Sequence, residues 1–231
     1  MLINEVVLET AELDAVRAFY SATLGLEADS PARAALAFRA GATRLAFVPS
    51  SDPAARPAYH VAFNVPENQF APAKAWISAR APLVLANGRD EFRFDDWNAD
   101  ALYFRDPAGN LLELIARHTL ENASDRPFDA RSILEASEIG IVVDDVPSAA
   151  GALRLAFGLS NYGSCDRRFA AVGDERGLFI VVERGRPWAP DHVRPAEIHA
   201  TRVAIASVAG DAARFVLPGH PVFVTVAAAA R

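Results

Sequence analysis

Cysteine is nearly absent. Cys165 stands alone among 231 residues, which excludes an internal disulfide and a multi-cysteine zinc site. Basic runs are missing too: 23 Lys and Arg face 29 Asp and Glu, a formal net charge of −6, which argues against nucleic acid as a partner. No apolar window reaches the length of a membrane span, because Arg, Asp or Pro interrupts every candidate. Met1-Leu2-Ile3-Asn4-Glu5 has neither the basic start nor the long apolar core of a secretory leader. The expectation is a soluble, cytoplasmic protein with no nucleic-acid and no membrane partner. Apolar residues, by contrast, make up 52% of the chain, enough for one large domain or two of ordinary size.

The most informative stretch is Ala101–His118, ALYFRDPAGNLLELIARH, which reads as strand, tight turn, strand. Asp106-Pro107-Ala108-Gly109-Asn110 is turn chemistry. In the second strand Glu113 shares a face with Leu111, Ile115 and Arg117, while Leu112 and Leu114 point the other way. Both faces are largely apolar, so Glu113 is expected in a covered space. There it needs a cation, a donor or a proton. A salt bridge to Arg105 or Arg117 is the plain structural reading.

Taken in order, Leu2–Glu9 is a strand, Glu12–Leu24 a helix closed by Gly25, and Ala34–Arg39 and Thr43–Val48 are strands around Gly41. The pattern restarts at Ala58–Val65, AYHVAFNV, where His60, Ala62 and Asn64 share one face and Val61, Phe63 and Val65 the other. A helix over Pro66–Arg80 and strands at Leu83–Ala86, Ala101–Arg105 and Leu111–His118 complete a second strand–helix–three-strand unit. The acidic, aromatic insert Asp90–Asp100 reads as a lid or site wall. Thr119–Ser132 is polar and aperiodic, a linker. Beyond it the first pattern recurs: Glu5 lies twenty positions before Gly25 and Glu138 twenty before Gly158, an offset of 133 residues. His199–Ala206 continues the repeat, and only the short strands Arg214–Leu217 and Val222–Val226 follow. The expected organisation is a complete domain over 1–118, a linker over 119–132, and a second, shortened domain over 133–231 without its second helix. GRPWAP (residues 185–190) reads as an ordered cover anchored by Trp188. Cys165, without a basic partner, reads as a free structural thiol.

NEVVLETAELDAVRAFYSATLGL, YHVAFNV and ALYFRDPAGNLLELI together resemble the vicinal oxygen chelate superfamily, which includes glyoxalases, extradiol dioxygenases and bleomycin resistance proteins. The resemblance implies an α+β fold in which paired strand–helix–three-strand modules form half-barrel cavities, here as two like domains. It implies a site fed by the first strand, the strand after the long loop and the last strand, which carries over to Glu5, His60 and Glu113 as metal ligands. It implies a divalent metal (Fe, Mn, Ni or Zn) and a small oxygen-bearing substrate, handled by a monomer or homodimer acting as a lyase or dioxygenase. Glu5 and Glu113 are then the catalytic carboxylates, with Asn64, Trp97, Tyr103, Arg105 and Arg117 as substrate-binding residues. Two departures from the family pattern stand out. Glu5 occupies a position where metal-binding relatives carry histidine, and ATRLAFVP offers no further carboxylate around Ala46.

Two glutamates within about 4 Å of one point repel by about 4 kcal/mol at an effective dielectric of 20. A divalent ion offsets that and recruits neutral His60. Arg105 and Arg117 offset it without metal, and a shared proton is the third route. The rival to a metalloenzyme is a metal-free module that sequesters a small molecule in an aromatic cleft, as bleomycin resistance proteins do. A structural protein acting through its surface is a third class.

Overall fold

A computed structural model describes residues 1–29, 35–52, 54–206, 208–210 and 213–226. Its strands follow the alternation in the sequence. The first unit comprises β1 (Leu2–Thr10), α1 (Leu13–Ala18, continued by a π-turn over Phe19–Thr23), β2 (Glu27–Ala28), β3 (Leu36–Ala40) and β4 (Thr43–Pro49). The second comprises β5 (His60–Val65), α2 (Phe70–Ser78), β6 (Phe92–Phe94), β7 (Ala99–Arg105) and β8 (Leu111–Arg117). The third runs through β9 (Glu135–Val143), α3 (Val146–Phe157), β10 (Phe169–Asp174) and β11 (Gly177–Glu183). The fourth is reduced to β12 (Thr201–Ala206), β13 (Arg214–Val216) and β14 (Val222–Val226), and no helix follows α3 among the described residues. No helix among them is long and apolar enough to cross a membrane.

These strands form two seven-stranded sheets, ordered β13-β14-β12-β1-β4-β3-β2 and β10-β11-β9-β5-β8-β7-β6. Within each unit the first strand runs parallel to the last: β1 to β4, β5 to β8, β9 to β11 and β12 to β14. Units then join through their first strands, antiparallel, β5 with β9 and β1 with β12. Residues 119–132 therefore do not separate the sheets, since each sheet draws strands from both sides of that segment. The physical reason is the open edge that every first strand presents, which has to be paired or covered. The connection from β8 to β9 lets the third unit fold straight back onto the second, and the first and fourth are left to pair with each other.

The convex faces supply one continuous core. Val6, Leu8, Leu45 and Phe47 from the first sheet meet Val61, Phe63, Leu112 and Ile139 from the second, with the buried stripes of the helices packed against them. Two features tie the sheets together. Gly41, at φ +58°, sits so close to the Leu134 carbonyl that a Cβ would collide with it. Thr43 Oγ1, fully buried, donates to the Ile3 carbonyl at 2.6 Å and accepts from the Ala136 amide at 2.8 Å. α3 is capped as its sequence suggests: Asp145 accepts from the Ser148 amide at its start, and Gly158 adopts φ +64° at its end.

Local corrections have local causes. The expected helix over Pro66–Arg80 starts only at Phe70, because Pro66–Gln69 forms a turn closed by the Gln69 amide on the Pro66 carbonyl. The expected strand Leu83–Ala86 makes only isolated bridges, Leu83 with Phe104 and Ala86 with Arg89. Asn87 and Gly88, both at positive φ, turn the chain there, and Phe92–Phe94 in the acidic insert becomes the edge strand instead. Ala34, the expected start of the third strand, lies outside the described residues.

Thr43→Val removes a side-chain partner from each of two buried backbone groups, the Ile3 carbonyl and the Ala136 amide. It is expected to destabilise the protein by about 1–3 kcal/mol, with Thr43→Ser costing clearly less; urea unfolding of the three proteins gives the comparison.

Candidate metal centre

Three adjacent strands of the second sheet build the site. Ala62, in the middle of β5, is in register with Glu113 on β8 to one side and with Glu138 on β9 to the other. Neighbouring strands lie about 4.8 Å apart, so the two glutamates flank a residue with almost no side chain and reach over it. His60, two positions earlier on β5, projects from the same face. One ligand atom from each of His60, Glu113 and Glu138 lies within 4.8 Å of the others. His60 Nε2 is 3.5 Å from Glu113 Oε2 and 3.4 Å from Glu138 Oε2, and all three residues are buried.

The atoms that face away from this centre are engaged. His60 Nδ1 lies 3.3 Å from the Leu111 carbonyl oxygen, which can only accept from it, and Nε2 faces the centre. Arg117, fully buried, donates to Glu138 Oε1 and, through Nε, to Asn64 Oδ1 at 3.2 Å. Asn64 Nδ2 donates onward to Glu135 Oε1 and to the Glu175 carbonyl, both at 3.0 Å. The Arg117 guanidinium also lies over the Trp97 ring, 5.2 Å from its centre. Glu138 thus has its cation.

Glu113 has no cation of its own. Its cross-strand neighbour is Tyr103, whose phenol is its polar partner across the strands. Burial first, and then the charge of Glu138, hold the Glu113 carboxyl well above the usual carboxylate range, against the pull of Arg117 and of the Tyr103 phenol. Burial, followed by the charges of Glu113 and Glu138, raises the Tyr103 phenol as well. Without metal, burial and the nearby Glu138 charge thus favour the protonated form of Glu113, while Glu138 is paired with Arg117.

The residues fit a divalent ion. One imidazole nitrogen and two carboxylate oxygens are a donor set for Mn, Fe, Ni or Zn. Donor spacings of 3.4 and 3.5 Å are compatible with neighbouring ligands on bonds of about 2.1 Å. An ion would also replace the Glu113 proton as the neutralising charge.

A cavity of about 520 Å³ opens over the cluster. The insert between α2 and β7 forms one wall, with Phe94 and Trp97 facing the space. The segment from β11 to β12 forms the opposite one: Trp188 is buried with its ring 5.4 Å from that of His60. Gly140 makes room for it, since a Cβ there would lie 2.6 Å from Trp188 Cη2. Arg105 pins the same segment through Asp191, at 3.0 and 3.2 Å.

Of the residues expected at the site, His60 and Glu113 come together, and Trp97 and Tyr103 line the cavity. Glu5 is a correction. Its strand, β1, lies between β12 and β4 in the other sheet, and its carboxylate is paired with Arg44. Arg44 is in turn 3.6 Å from Asp29, which binds Arg39. Glu138, the repeat counterpart of Glu5, takes the place expected for Glu5, and the repeat offset was the signal that could have found it. Asn64 and Arg117 stand behind Glu138, and Arg105 staples the Trp188 segment, so none of the three is in the cavity wall. His199 packs edge-on against Tyr59, 5.6 Å between ring centres, and Cys165 is free and exposed.

Because the folded-state pKa of Glu113 stands above its unfolded value, the native protein keeps a proton that the unfolded chain releases. In chelator, stability is expected to fall as pH rises from the ordinary glutamate range toward the raised value. Glu113→Gln, neutral throughout, should flatten that part of the profile. Thermal melts across pH in EDTA read both slopes; parallel profiles would contradict the assignment.

Residues 5–115 match the family model described as a glyoxalase-like domain. No curated protein matches the chain. Among solved structures, the fold is similar to that of a candidate dioxygenase from Bacillus subtilis subsp. subtilis str. 168, at 16% identity and a TM-score of 0.61, covering 89% of this chain and 70% of that one. It is also similar to that of glyoxalase I from Zea mays, at 15% identity and a TM-score of 0.52, covering 89% of this chain and 74% of that one. At such identities the likeness speaks for fold alone. The glyoxalase-like stretch, the paired units and the half-barrel cavity agree: residues 5–115 are similar to the glyoxalase-like family, and the fold is that of the vicinal oxygen chelate superfamily.

Proposed function

We propose that the chain is a divalent-metal-dependent enzyme of the glyoxalase or dioxygenase type, with His60, Glu113 and Glu138 as metal ligands. The observation that carries this reading is convergence: His60 Nε2, Glu113 Oε2 and Glu138 Oε2 meet at one buried point, while His60 Nδ1 faces the Leu111 carbonyl and Glu138 Oε1 is held by Arg117. A bound ion would supply Lewis acidity, polarising two adjacent oxygens of a small substrate. The chain's own residues do the rest. Arg117 holds Glu138 so that Oε2, not Oε1, faces the centre. The Leu111 carbonyl fixes the His60 tautomer. Tyr103 keeps its proton at the hydroxyl, available to Glu113 and to a ligand oxygen above it. Trp97 and Trp188 restrict water on two sides of the cavity. The first sheet, where the Glu5–Arg44 pair satisfies the corresponding carboxylate, serves as scaffold.

One observation favours a second reading, a metal-free module that binds a small molecule. Arg117 is already paired with Glu138, and burial favours the neutral form of Glu113, so both carboxylates have an answer without an ion. Elemental analysis of protein purified without a metal-affinity tag separates the two, together with melts in EDTA and in added Mn²⁺, Fe²⁺, Ni²⁺ or Zn²⁺. The enzyme reading expects bound metal and a melting temperature that rises with at least one ion, an increase His60→Ala abolishes. A melting temperature indifferent to all four ions would leave the binding module.

A further inference from the structure

The strand that carries Glu138 breaks its own alternation just before it. On β9, Glu135 and Glu138 are three positions apart, so regular pleating would send their side chains to opposite faces. The register between β5 and β9 slips by one residue there. Ala62 pairs with Glu138 and Phe63 with Ala136, which leaves Ser137 as the extra residue of a bulge. The bulge returns Glu135 to the face of Glu138, where its Oε1 accepts from Asn64 Nδ2 at 3.0 Å. β1 carries the same slip against β12, with Asn4 as the extra residue. There the counterpart of Glu135, at the 133-residue offset, is Leu2, which can accept nothing. Both sheets have the bulge, and only the sheet with the cluster has a carboxylate for it to aim.

Glu135 is buried and lies outside the cavity over the cluster. It lines a separate one of about 590 Å³, where exposed Arg176 stands 3.7 Å from its Oε2. Its reach toward the cluster runs through one amide. Asn64 is fully buried, and its Nδ2 donates to Glu135 and to the Glu175 carbonyl, which leaves Oδ1 for Arg117 Nε. A reversed amide would set N–H against N–H at Arg117 and oxygen against oxygen at the other two. The guanidinium itself makes two side-chain hydrogen bonds, Nε on Asn64 and Nη2 on Glu138 Oε1, while its Nη1 is buried without a partner.

We propose that Asn64 and Glu135 are positioning residues: they hold Arg117 to a single oxygen of Glu138 and so keep Oε2 facing the centre. The proposal rests on the reading of His60, Glu113 and Glu138 as metal ligands. An arginine and a carboxylate favour two parallel N–H···O bonds. Relieved of Asn64, the guanidinium has an unpaired buried Nε and finds a new acceptor in Oε2, so the ion loses a donor. Glu135 acts one step further back, by fixing which end of the amide faces Arg117. The bulge at Ser137 is the backbone feature that makes this possible.

Calorimetric titration of Mn²⁺ into variants shown to be folded by circular dichroism tests this. Asn64→Leu is expected to bind Mn²⁺ roughly tenfold or more weakly than wild type. Glu135→Ala should weaken binding severalfold, and Glu135→Gln, which keeps an oxygen for the Asn64 amide, should restore most of it. In a Glu138→Gln background Asn64→Leu should weaken binding no further, because the carboxylate it protects is already gone. A merely structural role would lower the urea midpoint and leave the affinity of the folded protein where it was. Unchanged affinity in Asn64→Leu or in Glu135→Ala, or a Glu135→Gln as weak as Glu135→Ala, would each overturn the proposal; the Glu135 variants carry the test if Asn64→Leu does not fold. The metal reading fails separately. If wild type binds no Mn²⁺, urea midpoints in EDTA still read the relay: Glu135→Ala and Glu138→Gln should be non-additive, and additive in an Asn64→Leu background. Non-additivity without Mn²⁺ binding leaves the relay and removes the metalloenzyme, and additivity without Mn²⁺ binding removes both. Mn²⁺ binding that Asn64→Leu leaves unchanged keeps the metal and removes the relay.

Discussion

Two carboxylates buried on either side of Ala62 are the constraint around which the rest of the second sheet is arranged. Ionised together within 4.8 Å, they would repel by about 3 kcal/mol or more at an effective dielectric near 20. The protein answers asymmetrically. Glu138 receives a buried arginine, while Glu113 lies beside the Tyr103 phenol, where burial pushes its carboxyl toward the neutral form. That asymmetry leaves one oxygen of Glu138 and the imidazole Nε2 of His60 directed at a common point beside Glu113. Of the two carboxylates, only Glu138 has a buried arginine of its own. The pairing of β5 with β9 creates it, because only that pairing puts Glu138 in register with Ala62.

The fold was legible because alternation and repeat spacing both survive in the sequence. His60-Val61-Ala62-Phe63-Asn64 assigned its faces correctly: Val61 and Phe63 are in the main core, and His60, Ala62 and Asn64 look into the cavity side. Glu113 was legible for the same reason, as a charge in an apolar strand. What alternation cannot reveal is which unit pairs with which. Glu5 and Glu138 occupy the same position in their repeats, and both strands offer a first-strand edge. Glu5 follows from the family resemblance, which places the first strand beside those of His60 and Glu113. Arg44 could have warned against it, since in register with Glu5 across β1 and β4 it satisfies that carboxylate at once. The arginine roles were beyond local pattern: Arg117 shares a face with Glu113, yet it serves the glutamate on the far side of β5.

The segment joining β11 to β12 is the other element that sequence could only outline. Gly185–Pro190 looked like a cover held by a tryptophan, and the structure shows what it covers. Trp188 rests on His60 because Gly140 has no side chain, and Asp191 is held by Arg105. The same few residues bring Arg186 to the cavity. Cluster and cover are thereby built on different units: the second and third supply His60, Glu113 and Glu138, and the connection to the fourth supplies Trp188. The first sheet repeats the architecture with its charge already satisfied by arginine.

The central claim is that the donors are His60, Glu113 and Glu138, with Glu5 excluded. Isothermal titration of Mn²⁺ or Zn²⁺ into Glu138→Gln and Glu5→Gln tests it most directly. The account predicts one site per chain in wild type and in Glu5→Gln with similar affinity, and a loss of roughly tenfold or more in Glu138→Gln. Loss of binding in Glu5→Gln with Glu138→Gln unaffected would contradict it.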